Sequence, residues 1–407
     1  MVKLYTSITD KIDEPNAAVR DILEQLNPKE NMLKNTIGIV HFHFSCKEKG
    51  TCEEIIKELP FEVCGCVTTF MGSKETYAES ALSVTMITSD DVYFDIKTVE
   101  GINSKTREQL TEEVETLLNN FTLNEKPKVV FPFIPMVQNF TSDDLVDISN
   151  NMEKDKWFAL FGTVAFNQEK QDDSGRKEDS TYYVLADKKI TADIFAFVAF
   201  YGDIKPKFSC TSAFAYENRF MPSVTITEND GLLLKKVNDM NILEYFFKRG
   251  ITNKDNQMTS SKIWAVPAIL KLGNGIKLVR AFLNAGEGAD YVFSTGSLET
   301  GANITFSMLD GEKTIESAKG LINNLYEKDR KDVIAYSCAA RAWSLDDKIS
   351  QEAHLFGSMA KKYREENDKE YNYVLSYSGG EICPAKDDSG KFLNVFQNYS
   401  LISVTFN

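Results

Sequence analysis

The chain has 407 residues, of which 43% are hydrophobic and 26% charged, and carries a formal net charge of -14. These values indicate a folded protein of two or three packed units and exclude a disordered or fibrous chain; the excess of carboxylates works against a phosphate backbone, so nucleic acid is not an expected partner. No stretch stays apolar long enough to span a membrane, MVKLYTSITDKIDEPN lacks the apolar core of a signal peptide, and the seven cysteines are irregularly spaced, so the expectation is a cytoplasmic protein with reduced thiols and no membrane partner.

In chain order, TIGIVHFHFSC, residues 36–46, is rich in β-branched and aromatic residues and predicts a strand. CEEIIKELP predicts a short helix ended by its proline, FEVCGCVTTF, residues 61–70, a second strand, GSKET a loop, and AESALSVTMITSDDVYFDIKTV two strands hairpinned at Ser-Asp-Asp. Leu110, Val114, Leu117 and Leu118 then fall at helical spacing. The same order recurs twice. KVVFPFIPM, SDDLVDISNNM and WFALFGTVAF predict strand, helix and strand, followed by the polar loop NQEKQDDSGRKEDS and the hairpin STYYVLADKKITADIFAFVAFYG. KDVIAYSCAARAW, KISQEAHLFGSMAKKYREE and YNYVLSYSGGEI repeat it, with CPAKDDSGK as the loop and FLNVFQNYSLISVTF as the closing hairpin.

A differently written stretch separates the second and third units. It predicts a hairpin turning at Asn229-Asp230-Gly231, a helix from Asn241 stopped by Gly250, and then a meander of short strands. The expected organisation is a lead-in over residues 1–30, an N-terminal domain over 31–205 and a C-terminal domain over 206–407. Strand-helix-strand steps require right-handed crossovers into parallel neighbours, whereas hairpins add antiparallel strands. The fold class is therefore α/β (α+β), with mixed sheets flanked by helices.

In each unit the second strand breaks into small or hydroxyl residues, CGCVTT, FGTVAF and SYSGGE. Such residues leave room for a ligand to approach the backbone, and Glu381 stands beside that space. A crevice is expected there, lined on one side by Glu381, Arg341, Tyr377 and Gly380, and on the other by Gly65, Thr68, Thr69 and Gly162. Arg341 has two open readings: a two-pronged grip on a carboxylate or phosphate, or an internal ion pair with Glu381 as the nearest named partner. An Arg341–Glu381 pair across the crevice would suit a zwitterion.

Cys338 either packs as a buried thiol or acts as a nucleophile with His354 as base. Cys64 and Cys66 flank Gly65 and share one face of a strand, which favours packing over a zinc site. His41 and His43, with Cys46 just beyond, offer a metal or haem iron two imidazoles on one strand face, or else belong to an ordinary core strand. The chain contains no phosphate-binding loop of the Gly-x-x-x-x-Gly-Lys-Ser/Thr type.

Several of these phrases together resemble the FIST family, named for F-box and intracellular signal transduction. YSCAARAW, with Ser337, Cys338 and Arg341, is similar to a Ser-Cys-x-x-Arg pattern of the family's C-terminal half. Tyr377, Ser378, Gly380, Glu381, Ile382 and Pro384, followed by Asn398 and Ser400, match a second phrase; VTITENDGLLLKKVNDMNILEYF and NGIKLVRAF resemble others. CGCVTTF and FGTVAF resemble turns of the N-terminal half, with Phe161 standing where a glycine is usual. The resemblance spans nearly the whole chain and implies two FIST halves that act, without catalysis, as a sensory input. The implied partners are a small ligand, here an amino acid or other small anion or zwitterion, and a separate kinase, chemoreceptor or cyclic-dinucleotide enzyme. Haem-linked members that sense nitric oxide imply a haem- or metal-linked gas sensor as an alternative, with haem or metal at His41 and His43. A Cys338-dependent hydrolase or transferase and a ligand-free scaffold are the remaining alternatives.

Overall fold

Twofold alternation fails in the first predicted strand because both of its faces are buried. In the computed structural model, which describes residues 2–167, 182–212, 222–251, 263–283, 290–328, 330–345 and 348–406, β2 (Asn35–Phe42) is covered on both sides from Ile37 onward. This is the pattern of a strand with a parallel neighbour. After α3 (Phe44–Glu48) and α4 (Thr51–Glu58), whose Cys52, Ile55 and Ile56 face inward, the chain returns as β3 (Glu62–Val67), parallel to β2. β6 (Leu82–Ser89) and β1 (Lys3–Thr9) extend the sheet in antiparallel fashion, and α1 (Pro15–Leu26) and α2 (Pro28–Asn31) join β1 to β2.

The second unit repeats this path through β7 (Tyr93–Glu100), α5 (Arg107–Asn120), β8 (Val129–Ile134), α6 (Ser142–Asn151), β9 (Ala159–Leu160), β10 (Gly162–Val164) and β13 (Ile194–Tyr201). Capping boxes, Thr106 with Gln109 and Thr141 with Asp144, start its two helices. The third unit opens with β14 (Lys207–Ser212). It resumes after an insertion as α8 (Gly311–Glu327), β23 (Val333–Cys338), α9 (Ala339–Trp343), α10 (Gln351–Asn367), β24 (Tyr373–Ser378) and β27 (Ser400–Thr405). Arg341 thus lies on a helix that the sequence reading had merged into the preceding strand.

Each unit also carries a short hairpin: β4 (Met71–Ser73) with β5 (Thr76–Ala78), β11 (Val184–Ala186) with β12 (Lys189–Thr191), and β25 (Glu381–Lys386) with β26 (Phe392–Gln397). GSKET and CPAKDDSGK, expected as loops, are parts of these hairpins; NQEKQDDSGRKEDS lies almost wholly outside the described residues. The hairpins are exchanged in a cycle. The sheet orders are β1-β6-β2-β3-β11-β12, β7-β13-β8-β10-β25-β26 and β14-β27-β23-β24-β4-β5. The first unit therefore donates its hairpin to the third, the second to the first, and the third to the second. The larger hairpins expected at Ser-Asp-Asp and at the C-terminus do not form, because β6 and β7, like β26 and β27, enter different sheets.

The inner faces of the three sheets share one core, with Ile39, Phe133 and Tyr336 among its members. Helices cover the outer faces: Leu110, Val114 and Leu145 pack on Phe195 and Phe197, and Leu321, Leu325 and Phe356 pack on Leu375 and Leu401. The ends of the three second strands close on one another. Phe166 N–H donates to Val67 O, Gly379 N–H to Val164 O and Thr69 N–H to Tyr377 O, each at 3.1 Å.

The insertion forms a fourth sheet from β15 (Val224–Asp230), β16 (Leu233–Val237), β17 (Met240–Asn241), β18 (Ala268–Lys271), β19 (Lys277–Arg280), β20 (Phe282–Leu283), β21 (Val292–Ser294) and β22 (Asn303–Phe306). The expected turn at Asn229-Asp230-Gly231 joins β15 to β16, and α7 (Ile242–Lys248) is capped by Asn241 with Gly250 just beyond its end. The sheets are mixed and the fold is α+β.

Candidate functional site

At the end of β24 the chain must leave the third sheet and start β25 in the second, and Ser378-Gly379-Gly380-Glu381 makes that crossing. Gly380 has φ of 151°, and a Cβ there would lie 2.5 Å from the Phe396 ring and 2.8 Å from Asn398 Nδ2; a side chain is excluded on both counts. The crossing places Glu381 in the interior with no exposed surface. Ser378 Oγ donates to its Oε1 at 3.2 Å and Ser400 Oγ to its Oε2 at 2.6 Å. Among the described residues no cation pairs with this carboxyl. Burial pushes it up to about 8, against the opposing pull of the two hydroxyls and the field of Arg341.

Arg341, also fully buried, is paired elsewhere. Its Nη2 and Nε donate to Glu352 Oε2 at 2.6 and 3.1 Å. Nη2 also reaches Ser317 Oγ at 3.0 Å, and Nη1 reaches Tyr399 O at 3.4 Å. Glu352 Oε1 accepts from Ser337 Oγ at 2.5 Å. The internal pair is the reading that describes Arg341, with Glu352 in the place expected for Glu381. Glu352, on α10, carried no sequence signal beyond being one acid in a polar helix.

The other expected wall of the crevice is filled by protein. A Cβ on Gly65 would lie 1.8 Å from Val40 O, and one on Gly162 would lie 2.3 Å from Pro132 O. These glycines occupy matching positions beside the first strands of their sheets, and their missing side chains admit a neighbouring strand. Thr68 and Thr69 are buried where the three strand ends close. Tyr377 packs edge-on to Phe70 at 5.8 Å in the core under α10. Glu381, Gly380 and Cys338 are gathered near one another; Gly65, Thr68, Thr69 and Gly162 belong to the strand junction. The open grooves described on the surface, one around Lys97, Glu113 and Leu117 and the other around Phe61, Tyr93 and Lys188, lie away from both.

Cys338 is packed with Ile269, Val279, Ala281 and Tyr399, and burial holds its thiol well above the ordinary range. His354 sits beside Tyr77 and Ser350 on α10, so no Cys-His dyad forms. His41 faces the shared core, with its ring 5.4 Å from Tyr336 and 6.2 Å from Phe133, and desolvation pushes it down to about 3. His43 is the N-cap of α3, accepting from Ser45 N–H at 3.4 Å, and burial pushes it down to about 4. His41, enclosed by rings with no exposed surface, does not fit an axial haem ligand. No cluster of three or more His, Cys, Asp or Glu suited to a metal occurs among the described residues.

The inserted subdomain roofs the Glu381 region. Arg280 Nη2 donates to Asp143 Oδ1 at 2.6 Å and Nη1 to Phe396 O at 2.9 Å, while Ser297 N–H donates to Asp143 Oδ2 at 2.7 Å. Burial pushes the Asp143 carboxyl up, and Arg280 opposes this. Asn398 Oδ1 accepts from Thr295 Oγ1 at 2.6 Å and from Ala281 N–H at 3.3 Å; its Nδ2 donates to Gly379 O at 3.0 Å. Tyr399 Oη donates to Trp264 O. At the margin three half-buried rings meet, Trp343 lying 5.7 Å from Phe166 and 5.4 Å from Trp264. Sequence reasoning missed Asp143, Arg280, Trp264 and Trp343; only the Val-Arg phrase had drawn notice to Arg280's strand.

Residues 37–240 match the FIST N domain and residues 242–384 the FIST C domain. The break between them falls within the inserted subdomain, at the junction of β17 and α7. No curated protein matches the chain. No helix among the described residues is long and apolar enough to cross a membrane.

Proposed function

The chain belongs to the FIST family, whose domains are sensory and signal-transduction modules, and from that premise we propose that it binds a small molecule at Glu381 and reports occupancy to a separate signalling protein. The observation that carries this reading is the carboxyl of Glu381. A buried carboxyl held by two serine hydroxyls and no cation costs folding free energy, and such a group marks a place where function outweighs packing.

The inserted subdomain supplies the means of reporting. It packs on Cys338 through Ile269, Val279 and Ala281 and bonds Asn398 through Thr295 and Ala281, so a ligand that favours one seating of this roof over another shifts the population of the two. The protonated, enclosed thiol of Cys338 favours binding over covalent chemistry. The proposed receiver, on family resemblance, is a kinase, chemoreceptor or cyclic-dinucleotide enzyme.

Native mass spectrometry of the full chain tests the reading, with melting curves before and after dialysis. A non-covalent added mass that is lost in Glu381→Gln, together with a melting temperature that falls when it is removed, is expected. A bare mass in both proteins, with no compound in a metabolite panel raising the melting temperature, would sink it.

A further inference from the structure

Resting on the reading of Glu381 as the ligand site, we infer that the ligand is an organic cation, an ammonium or amidinium with apolar surface, held between the Glu381 carboxylate and the rings of Phe166, Trp264 and Trp343. Three observations converge on this class.

The first is the charge inventory. Arg341 is the cation whose field reaches Glu381, and all three of its guanidinium nitrogens are engaged by Glu352, Ser317, Thr314 and Tyr399. Arg280 is committed to Asp143 and to Phe396 O. Each guanidinium already carries a carboxylate, with Arg280 Nε alone left without a hydrogen-bond partner, so an anionic ligand would compete with Glu352 or Asp143, and next to Glu381 it would meet a further acid. A cation instead supplies the partner that the carboxyl lacks, and in a site closed to water that pairing is strong.

The second is the aromatic surround. Two of the chain's three tryptophans, Trp264 and Trp343, stand edge to face with Phe166 against Trp343. Phe166 also reaches the crossing itself, its Cδ2 lying 3.2 Å from where a Gly379 Cβ would be. Trp264 and Trp343 pack with Cys338 and Tyr399, directly before Ser400 and its bond to Glu381. Ring faces attract an alkylammonium by their quadrupole, and indole does so best.

The third is exposure. Phe166, Trp264 and Trp343 are each only half buried, whereas Glu381 has no exposed surface. With rings at the margin and a carboxyl at depth, an entering cation would be desolvated against aromatic surface before it met its counter-charge.

The test is titration of the full chain with tetramethylammonium and n-butylamine, with butyrate and 1-butanol as size-matched controls, read by melting temperature and tryptophan emission. The amines alone are expected to raise the melting temperature and change the emission. Glu381→Gln, which keeps the side chain's size, is expected to weaken amine binding by roughly thirtyfold or more. Trp343→Phe, which keeps an aromatic ring, is expected to weaken it by about tenfold or less, and serves as the independent variant should Glu381→Gln fold poorly. Amines that leave both readouts unchanged, or that bind Glu381→Gln as well as the parent, overturn the inference. In that event native mass spectrometry separates the two claims: an anionic or neutral adduct lost in Glu381→Gln preserves the site and refutes only the ligand class, whereas a bare mass removes both.

Discussion

Arg341 and Glu352 form an ion pair in which neither side chain has any solvent exposure. The pair joins α9 to α10 and, through Ser317, Thr314 and Tyr399, to α8 and the start of β27. Its role is therefore to order the elements that carry Cys338 and Ser400. Removing one partner leaves an uncompensated buried charge, which typically costs about 3–5 kcal/mol. Arg341→Met or Glu352→Gln should each lower stability by that order in urea unfolding, and the double variant should recover much of the loss. A double variant as unstable as the sum of the two singles would show that the residues act independently.

Glu381 makes a pH prediction of definite sign. Its carboxyl has an ordinary value of 4.5 and is pushed up to about 8 in the folded chain, so the folded state holds a proton that the unfolded state releases. Its contribution is fully present below 4.5, declines as pH rises, and levels off above about 8. The ionisable groups whose fields act on it or respond to it are Arg341, Cys338 and Cys210; the buried Cys338 thiol stays protonated across this window. Melting curves from pH 4.5 to 8 should show the parent losing stability relative to Glu381→Gln. Parallel curves for the two proteins would contradict the assignment.

Arg280 and Asp143 fasten the inserted subdomain to α6. Asp143→Asn removes the charge pairing and leaves one acceptor oxygen for the two donors, Arg280 Nη2 and Ser297 N–H, so the roof should open more often without global unfolding. Site-resolved thiol labelling reports this directly, because Cys338 packs beneath Ile269 and Val279, whereas Cys64 and Cys66 lie in the shared core of the three sheets. Faster labelling of Cys338 alone is expected in Asp143→Asn. Equal acceleration at all three thiols would mean general destabilisation.

How far the sequence could be read depended on the range of the interaction. Periodicity and turn chemistry located the strand-helix-strand path of all three units, and Asn241 and Gly250 bounded α7 as expected, because these are local signals; β1, α1, β14 and α8 were left unassigned. The hairpin exchange was not legible. Its turns at Lys74-Glu75 and Asp187-Lys188 take positive φ without the glycine or asparagine that normally announces one. Nor does any local signal say that β6 and β7 join different sheets. The small residues of the three second strands were noticed, but their reason was inverted: Gly65 and Gly162 make room for Val40 and Pro132 of the chain itself. Glu381 stood out because its phrase was unusual, whereas Glu352, Asp143 and Arg280 became visible only once strands and helices distant in sequence were brought together.

The repeated parallel pair of each unit places three residues at matching register, His41 opposite Cys66, Phe133 opposite Thr163 and Tyr336 opposite Ser376, and the closing of the three sheets brings His41 into ring contact with the other two. The ring that bridges Phe133 and Tyr336 is therefore a titratable one with no hydrogen-bond partner on either nitrogen. His41 is pushed from 6.5 down to about 3, so the unfolded chain takes up a proton that the folded chain refuses. Stability from this residue is whole above 6.5 and is lost as pH falls toward 3, opposite in sign to the Glu381 effect. His41→Phe, which repeats the residue found at Phe133, should fold, should be no less stable than the parent at pH 7, and should lose less stability between pH 6.5 and 4. Acid sensitivity unchanged in His41→Phe, measured by urea unfolding across that range, would show that some other group governs it.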